Sequence, residues 1–368
     1  MVKFFVLGGI IMTIAISATM ASEQEDNKFV NSEIRHQTDL ANIWSIAKAY
    51  FKTERKAASP SKEIPVVPMT IQQLSEPHDA IYRLGHSTLL MRLNGQLILT
   101  DPVFSDRASP VQWAGPKRFH ESPISIADLP AIDAVIISHD HYDHLDKASV
   151  KQLQEKVGTF ITPLKVGQRL IDWGIPKDKV VELDWWEKTE VEGITIVATP
   201  SQHFSGRGLL DSDQTLWASW VIKSDAQSLF FSGDSGYFGG FKEIGERYGP
   251  FDVTFMETGA YNALWKDIHM MPEETMQAHR DLKGRYLLPI HNGTFDLSLH
   301  DWYEPFERIV ALGDQYNVPI LTPTFGQEIP LEAMVTSDES REPNASDHST
   351  EQTTLTTPHW WKPFMVAN

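Results

Sequence analysis

The stretch ISHDHYDHLD at residues 137–146 constrains the fold most, because it places three histidines and three aspartates directly after an apolar segment. The preceding run IDAVIIS is apolar and β-branched, which predicts a buried strand that ends where the polar cluster begins. Asp146 can cap a following helix, on which Val150, Leu153 and Val157 would share one face. The stretch therefore predicts a strand, a loop and a helix, with the polar cluster at the carboxyl end of the strand.

The spacing within this loop favours metal ligands over a solvated surface loop. His139 and His141 alternate in an extended segment, whereas the adjacent Asp143 and His144 follow a turn and can face a second point. One loop can therefore serve two metal ions. The helical zinc motif H-E-x-x-H has a different spacing and does not fit this loop.

Composition limits both the partners and the ligand types. The chain has 368 residues, of which 41% are hydrophobic, so it can bury a sizeable core. A formal charge of -17 opposes a nucleic-acid partner, which requires clustered Lys and Arg, and it weakens electrostatic docking on anionic lipid. Since the chain has no cysteine, a metal site must use His, Asp and Glu.

The first 21 residues have the pattern of a signal peptide: one lysine, a short apolar core, and small residues before an acidic change. We expect cleavage after Ala21 and export to the periplasm or cell envelope. The alternative is an uncleaved N-terminal segment that anchors the protein.

Three further regions follow the signal peptide. Residues 22–79 contain a predicted helix and a Pro-rich connection, and the apolar stripe at 38–51 either packs in the core, lines an apolar groove or contacts a membrane surface. Residues 80–335 form the main domain, and the polar composition of 336–368 predicts a flexible tail. The closing HWWKPF either docks on the core or stays loose.

Short strands outnumber helices in the main domain. Helical periodicity is confined to residues 147–157, 273–282 and 302–316. This pattern predicts an α/β (α+β) fold of two packed sheets flanked by helices. The predicted strands lie in LLMRLNGQLILTDP, DAVIISHD, GTFITP, KVVELD, GITIVATPSQH, ASWVIKS, SLFFSGDSG, DVTFMETGAY, YLLPIHNG and VPILTPTFG.

Three more ligand candidates stand at the ends of apolar strands. His203 follows ITIVATPSQ, Asp234 follows SLFFSG, and His291 follows YLLPI. Each lies beside Gly or small residues, which let the backbone approach closely. A lone histidine at a strand end usually has a structural role, but the ordered set favours a site for two metals.

In this order, H-x-H-x-D-H at 139–144 followed by His203, Asp234 and His291, the sequence resembles the metallo-β-lactamase superfamily. The resemblance implies an αββα sandwich of two mixed sheets, with the site at one edge of the sheets. It implies two Zn²⁺ ions, for which other divalent metals are an alternative. One ion would be held by His139, His141 and His203, the other by Asp143, His144 and His291, with Asp234 bridging both.

Residues 81–330 resemble more closely the N-acylphosphatidylethanolamine-hydrolysing phospholipase D family within that superfamily. The stretches that carry this likeness are LGHSTLLMRLNGQLILTDPVFSDRASPVQWAGPKRF, PSQHFSGRG, LWASWVI, FFSGDSGYF and PFDVTFMETGAY. The likeness implies a zinc phosphodiesterase that cleaves a phospholipid or small phosphodiester substrate. For an N-acylated ethanolamine phospholipid, the products are phosphatidic acid and the fatty acid ethanolamide.

The sequence departs from the animal members at METGAY and HNGTF, where Glu257 and Asn292 are expected to change the pocket wall. A lactonase or another phosphodiesterase with the same ligands is therefore the alternative activity. A non-catalytic metal-binding or lipid-binding periplasmic protein is a third. Since family members can dimerise, a homodimer is an open alternative to a monomer.

The metal chemistry assigns roles to several residues. A hydroxide held between two metals about 3.5–4 Å apart is available at neutral pH. Asp143 can aim it and Asp234 can hold both ions, while His269 either contacts the substrate or leaving-group oxygen or is a structural histidine at the head of a helix. His86 is either an outer partner of the ligands or, as the sequence favours, a structural histidine. Asp101 is expected to orient a ligand imidazole or a loop, with an ordinary Asp at a strand end as the alternative. Candidate walls for an acyl chain are Phe204, Trp113, Tyr261 and Trp265.

Overall fold

Two mixed β-sheets packed face to face form the body of the protein. The computed structural model describes residues 21–35, 45, 46, 48, 49, 52–208, 210–332, 357 and 359–365. Helices cover both outer faces of the sandwich, which confirms the predicted fold.

Strands outnumber helices in the described part of the chain, and runs of consecutive strands lie at 80–136 and 180–231. The strands are β1 Glu23–Glu25, β2 Lys28–Val30, β3 Ala80–Arg83, β4 Leu89–Leu93, β5 Gln96–Thr100, β6 Ile132–Ile136, β7 Val157–Pro163, β8 Val180–Leu183, β9 Lys188–Val191, β10 Ile194–Thr199, β11 Ser219–Lys223, β12 Ser228–Phe231, β13 Phe251–Glu257, β14 Gly284–Ile290 and β15 Glu328–Pro330. The α-helices are α1 Ile71–Leu74, α2 Lys147–Leu153, α3 Val166–Asp172, α4 Gly240–Arg247, α5 Pro272–Asp281 and α6 Glu304–Tyr316. Short 3₁₀ turns lie at Lys177–Lys179 and Lys362–Phe364.

Each large sheet has an antiparallel part and a parallel part. The seven-stranded sheet has the order β15-β3-β4-β5-β6-β7-β8 and is parallel from β5 to β8. The six-stranded sheet has the order β14-β13-β12-β11-β10-β9 and is parallel from β12 to β14. Parallel strands end at the same edge, and loops that follow such strands are where α/β sheets bind ligands. The loops after β6, β10, β12 and β14 carry the predicted ligands.

The two faces of each sheet bury different cores. Alternate residues of a strand point to opposite faces, so Ile136 packs between the sheets while Val135 packs under the outer helices. α2 and α3 cover the seven-stranded sheet with Val150, Leu153 and Leu170, among others. The helices α4, α5 and α6 cover the six-stranded sheet.

The structure corrects two predicted elements. The helix predicted over 147–157 ends at Leu153, and Val157 instead begins β7, where it pairs with Ile132. The segment VPILTPTFG forms two isolated bridges, Ile320 with Leu287 and Phe325 with Val66, rather than a strand. Its prolines lack the N–H that a ladder requires. Asp146 caps α2 as predicted, since its side chain accepts a hydrogen bond from Ala148 N.

The described N-terminal residues form a β-hairpin that the sequence analysis did not predict. β1 and β2 pair across a turn at Asp26 and Asn27, both of which have positive φ, as the tight two-residue hairpin turn requires. Ser45, Ile46, Lys48 and Ala49 have helical backbone, whereas most of the helix predicted at 38–51 lies outside the described residues.

The signal peptide and most of the tail also lie outside the described residues. Of the closing HWWKPF, the indole rings of Trp360 and Trp361 are buried against α6, so this segment docks on the core. In the part of the chain that the structure describes, no helix has both the length and the apolar character to cross a membrane.

Candidate metal centre

The structure brings all seven predicted ligands to one edge of the sandwich. Four come from the loop between β6 and α2, and the other three come from loops after strands of the six-stranded sheet. Their ligand atoms fall into overlapping groups in which all atoms lie within 4.8 Å of one another. The seven are His139, His141, Asp143, His144, His203, Asp234 and His291.

The first group consists of three histidines. His141 Nδ1 lies 2.9 Å from His139 Nε2 and 3.3 Å from His203 Nε2. The other ring nitrogens are occupied, because His139 Nδ1 lies 2.9 Å from Ser138 Oγ and His203 Nδ1 lies 3.0 Å from Ile268 O. Each Nε2 therefore has its lone pair free for a cation, which is the arrangement of a metal-ligating imidazole with its outer partner.

The second group combines a carboxylate with two histidines. Asp143 Oδ2 lies 3.1 Å from His291 Nε2 and 3.5 Å from His144 Nε2. His144 Nδ1 donates to Asp101 Oδ2 at 2.6 Å, which leaves Nε2 as the ligand atom. His86 Nε2 approaches the same Asp143 oxygen at 3.2 Å.

Asp234 lies between the two groups. Its Oδ1 is 3.1 Å from His144 Nε2, and its Oδ2 is 3.0 Å from His291 Nε2 and 3.7 Å from His203 Nε2. Although His144 Nε2 and Asp234 Oδ1 lie 3.1 Å apart, they do not form a hydrogen bond with each other, and neither buried atom has another hydrogen-bond partner among the described residues. Since buried polar atoms normally have partners, this donor set fits divalent cations on both sides of Asp234.

The histidines of the two ligand groups have pKa values shifted in opposite directions. Burial lowers the pKa values of His139 and His203 well below their usual range, so both imidazoles are neutral. Burial alone would also lower the pKa of His291, but the charge of Asp234 outweighs it and, with Asp143, raises that pKa to about 10. The same carboxylates raise the pKa of His144 against the effect of its burial. Without a metal, the protonated imidazoles of His144 and His291 therefore balance the negative charges of Asp143 and Asp234.

We expect metal binding to release protons and to strengthen as pH rises. The pKa of His291 is raised to about 10, so the metal-free ring is protonated at neutral pH and must lose that proton to bind a metal. Proton competition therefore weakens from neutral pH towards pH 10. Calorimetric titration with zinc, in buffers of different ionisation enthalpy, measures this release; a binding enthalpy that does not depend on the buffer would contradict it.

Ser138 and Asp101 orient two of the ligands. Asp101 Oδ1 accepts from Ser138 N at 2.7 Å and Oδ2 accepts from Ser138 Oγ at 2.6 Å, while Oδ2 also holds His144. Asp101 therefore orients a ligand imidazole, which is one of its two predicted roles, whereas Ser138 is not among the predicted site residues although it stands directly before His139. His86 supports His291 in addition, because His86 O accepts from His291 N at 3.0 Å.

His269 lies beside the ligands and has a buried carboxylate partner. Its ring centroid is 5.2 Å from that of His203 and 5.3 Å from that of His291. His269 Nδ1 is hydrogen-bonded to Glu257 Oε1, and Glu257 Oε2 accepts from Ser235 N at 3.2 Å. Nε2 is therefore the ring nitrogen that His269 offers to a substrate.

The prediction that Glu257 and Asn292 change the pocket wall is wrong. Glu257 is fully buried behind His269. A buried carboxylate needs hydrogen-bond donors, and the ring of His269 supplies one of them. Asn292 is also buried, and its Oδ1 accepts from Arg83 Nη2 at 2.8 Å. Neither side chain lines the groove that leads to the metal ligands.

A groove of about 270 Å³ opens over the ligands. Two of the four predicted acyl-chain walls, Phe204 and Trp265, line it. The other two do not: Trp113 is 83% exposed on another loop, and Tyr261 is buried with its hydroxyl 2.9 Å from Glu304 Oε1. The remaining apolar lining consists of Ile46, Ala260, Ile268 and Leu297. Ile46 belongs to the segment 38–51, for which lining an apolar groove is one of the three predicted roles, whereas nothing in the sequence singles out the other three residues.

Converging imidazoles and carboxylates at the loop edge of an αββα sandwich define a metal-dependent hydrolase. The family model described as Beta-lactamase superfamily domain matches residues 96–292, more than half of the chain. The chain belongs to the metallo-β-lactamase superfamily.

Curated relatives cover much of the same region. An uncharacterized protein of Mycobacterium tuberculosis is 41% identical over 329 residues, which are 86% of this chain and 87% of the relative. The N-acyl-phosphatidylethanolamine-hydrolyzing phospholipase D 1 of Caenorhabditis elegans is 38% identical over 245 residues, 63% of this chain and 68% of the relative. The mitochondrial N-acyl-phosphatidylethanolamine-hydrolyzing phospholipase D of Saccharomyces cerevisiae is 35% identical over 260 residues, 67% of this chain and 55% of the relative.

Solved structures share the fold at lower identity. The isothiocyanate hydrolase from Delia radicum gut bacteria has a TM-score of 0.55 and 21% identity over 68% of this chain and 98% of that chain. The metallo hydrolase Igni18 from Ignicoccus hospitalis has a TM-score of 0.53 and 20% identity over 68% of this chain and 97% of that chain.

Proposed function

We propose that this protein is a dinuclear zinc phosphodiesterase of the phospholipase D type. Its substrates would be N-acylphosphatidylethanolamine-like phospholipids, and its products an N-acylethanolamine and phosphatidic acid. The observation that carries the proposal is a site for two cations at the base of an apolar groove. The relatives from Caenorhabditis elegans and Saccharomyces cerevisiae, whose names state this activity, support it.

The charges around the groove favour a phosphodiester over a phosphomonoester or a nucleic acid. None of the described residues that line the groove is Lys or Arg, so a bound anion has only the metal side of the site as its counter-charge. A phosphodiester carries one negative charge, whereas a phosphomonoester carries about 1.5 to 2 at neutral pH. A polynucleotide would also need basic contacts to its backbone.

Each residue around the metal site has a separate role in the proposed hydrolysis. When bound, two divalent ions would supply Lewis acidity towards the phosphate and a nucleophile at neutral pH. Asp143 accepts a hydrogen bond from the attacking water and so aims it at phosphorus. His269 acts in its doubly protonated form: Glu257 accepts the hydrogen bond from Nδ1–H and keeps the ring in place, and Nε2 gives its proton to the oxygen of the leaving alcohol as the bond between that oxygen and phosphorus breaks. Phe204 and Trp265 contact the acyl chain.

Substrate turnover tests the proposal directly. The zinc-loaded protein is incubated with purified N-acylphosphatidylethanolamine in mixed micelles, and the products are followed by mass spectrometry. Parallel reactions contain a lactone or bis-p-nitrophenyl phosphate, and metal content is measured on the same sample. Release of the fatty acid ethanolamide and phosphatidic acid supports the proposal.

Three other results would overturn it. Turnover of the lactone alone would assign a lactonase, and turnover of bis-p-nitrophenyl phosphate alone would assign another phosphodiesterase. Protein that holds two metals and hydrolyses none of the three would reject the phospholipase activity while leaving the metal centre in place.

We also propose that the enzyme acts in the periplasm or cell envelope and contacts a membrane surface there. The signal-peptide pattern of the first 21 residues supports export. A phospholipid substrate supports the membrane contact, because the groove must receive the lipid from a bilayer or micelle.

Replacing His269 with glutamine is expected to lower kcat about a hundredfold, the lower end of what a positioned proton-transfer group contributes. The metal content should stay unchanged, because His269 is not one of the seven proposed ligands, although its ring lies close enough to His203 and Asp234 to share a metal with them. Steady-state kinetics and zinc analysis of the same preparation measure both quantities. Loss of a metal ion from this variant would instead show that His269 is a ligand.

A further inference from the structure

The segment that follows β2 lies directly against the loop that carries His203. Asn31 is buried, with 7% of its surface exposed. Its Nδ2 donates to His203 O at 2.8 Å, and His203 N donates to its Oδ1 at 3.0 Å. One side chain thus satisfies both backbone groups of a candidate metal ligand that lies 172 positions further along the chain.

Other contacts attach the same segment to this loop. Trp217 Nε1 also donates to Asn31 Oδ1, at 3.0 Å. Ile34 N donates to Gln202 Oε1 at 3.3 Å, and Gln202 Nε2 donates back to Ile34 O. At the other end of the loop, Phe29 N donates to Asp213 O at 2.8 Å. The hairpin and the segment that follows it therefore contact the loop on both sides of His203.

We infer that the N-terminal hairpin is part of the metal centre and that Asn31 is a positioning residue for His203. Asn31 fixes the backbone of His203, and Ile268 O fixes its ring through Nδ1 at 3.0 Å. Together these contacts place His203 Nε2 at 3.3 Å from His141 Nδ1. The inference rests on the metal role of His203 and not on the phospholipid substrate.

Loss of the Asn31 side chain would leave two polar groups without their partner, His203 N and His203 O, whereas the indole N–H of Trp217 keeps Ser201 O as an acceptor at 3.0 Å. Buried backbone groups do not stay unpaired, because the free-energy penalty is about 1–3 kcal/mol for each group. The loop must shift to hydrate them, and His203 moves with it. The family model covers residues 96–292, so the hairpin supports this ligand from outside the matched region.

The test is metal affinity, measured by competition with a chromophoric zinc chelator. In Asn31→Ala we expect one of the two zinc ions to bind about tenfold or more weakly, the loss typical when an outer partner of a ligand is removed. Binding of the other ion should not change. Asn31→Asp keeps the acceptor for His203 N and Trp217 Nε1 but loses the donor to His203 O, so an intermediate loss is expected.

Gln24→Ala is the matched control. It removes an exposed carboxamide from the same hairpin, and that carboxamide contacts Lys165 rather than His203. This control should bind both ions as the parent does. If Asn31→Ala does not fold, Asn31→Asp provides the comparison.

Three results would overturn the inference. Parental affinity for both ions in Asn31→Ala would show that His203 does not depend on Asn31. Equal weakening of both ions would indicate a general loss of structure. A parent protein that binds no metal would reject the inference together with the metal centre, whereas a parent that binds two metals and hydrolyses no lipid would reject only the proposed function.

Discussion

Asp234→Asn should abolish most of the hydrolytic activity while leaving the fold intact. Asparagine has nearly the same shape, but it removes the charge that lies between the two ligand groups and within 3.1 Å of both His144 and His291. An uncharged carboxamide cannot offer a carboxylate oxygen to each of two ions. We expect the rate to fall by more than about a hundredfold, the upper end of the loss seen for outer-shell partners, because Asp234 is itself a proposed ligand.

The measurements are kcat/KM on the phosphodiester substrate, zinc per chain, and the circular dichroism spectrum. Zinc content should fall with activity, while the spectrum should match that of the parent. Asp225→Asn is the control, since it makes the same chemical change at an exposed position in the turn before β12. A fully active Asp234→Asn variant that retains two zinc ions would refute the bridging assignment.

The ligand set could be predicted from sequence because its signals are local. Each ligand follows a short apolar strand, and the strands that carry them end at one edge of the sandwich. The residue types are limited by metal chemistry, and His139, His141, Asp143 and His144 occupy a single loop. A strand pattern and a ligand spacing can both be recognised without knowing which strands pair.

The supports of the ligands could not be predicted, because they depend on contacts between distant parts of the chain. Asn31 lies in a polar segment without periodicity, and nothing near it indicates that it reaches His203. Glu257 ends a strand in the sequence MET, which does not show that its carboxylate meets His269. Such pairings follow from the way the two sheets stack, which a local pattern does not contain.

The same limit applies to the aromatic residues. Trp113 and Trp361 both lie in segments without clear periodicity, yet the first is 83% exposed and the second is fully buried. Only the docking of the C-terminal segment on α6 distinguishes them. The ring of Trp361 stacks on Phe306 with centroids 4.9 Å apart, and its Nε1 donates to Glu307.

This difference in burial predicts that replacement by alanine lowers the free energy of unfolding strongly at Trp361 and hardly at all at Trp113. Trp361→Ala should lower the free energy of unfolding by about 3–5 kcal/mol, because it empties a buried site between aromatic rings and leaves a cavity. Trp113→Ala should change it by no more than about 0.5 kcal/mol, as is usual for an exposed side chain. Chemical denaturation of the metal-free proteins measures both values without the contribution of bound zinc. Equal stabilities of the two variants would show that the C-terminal segment does not pack on α6 in solution, since the predicted cost arises only if Trp361 is buried there.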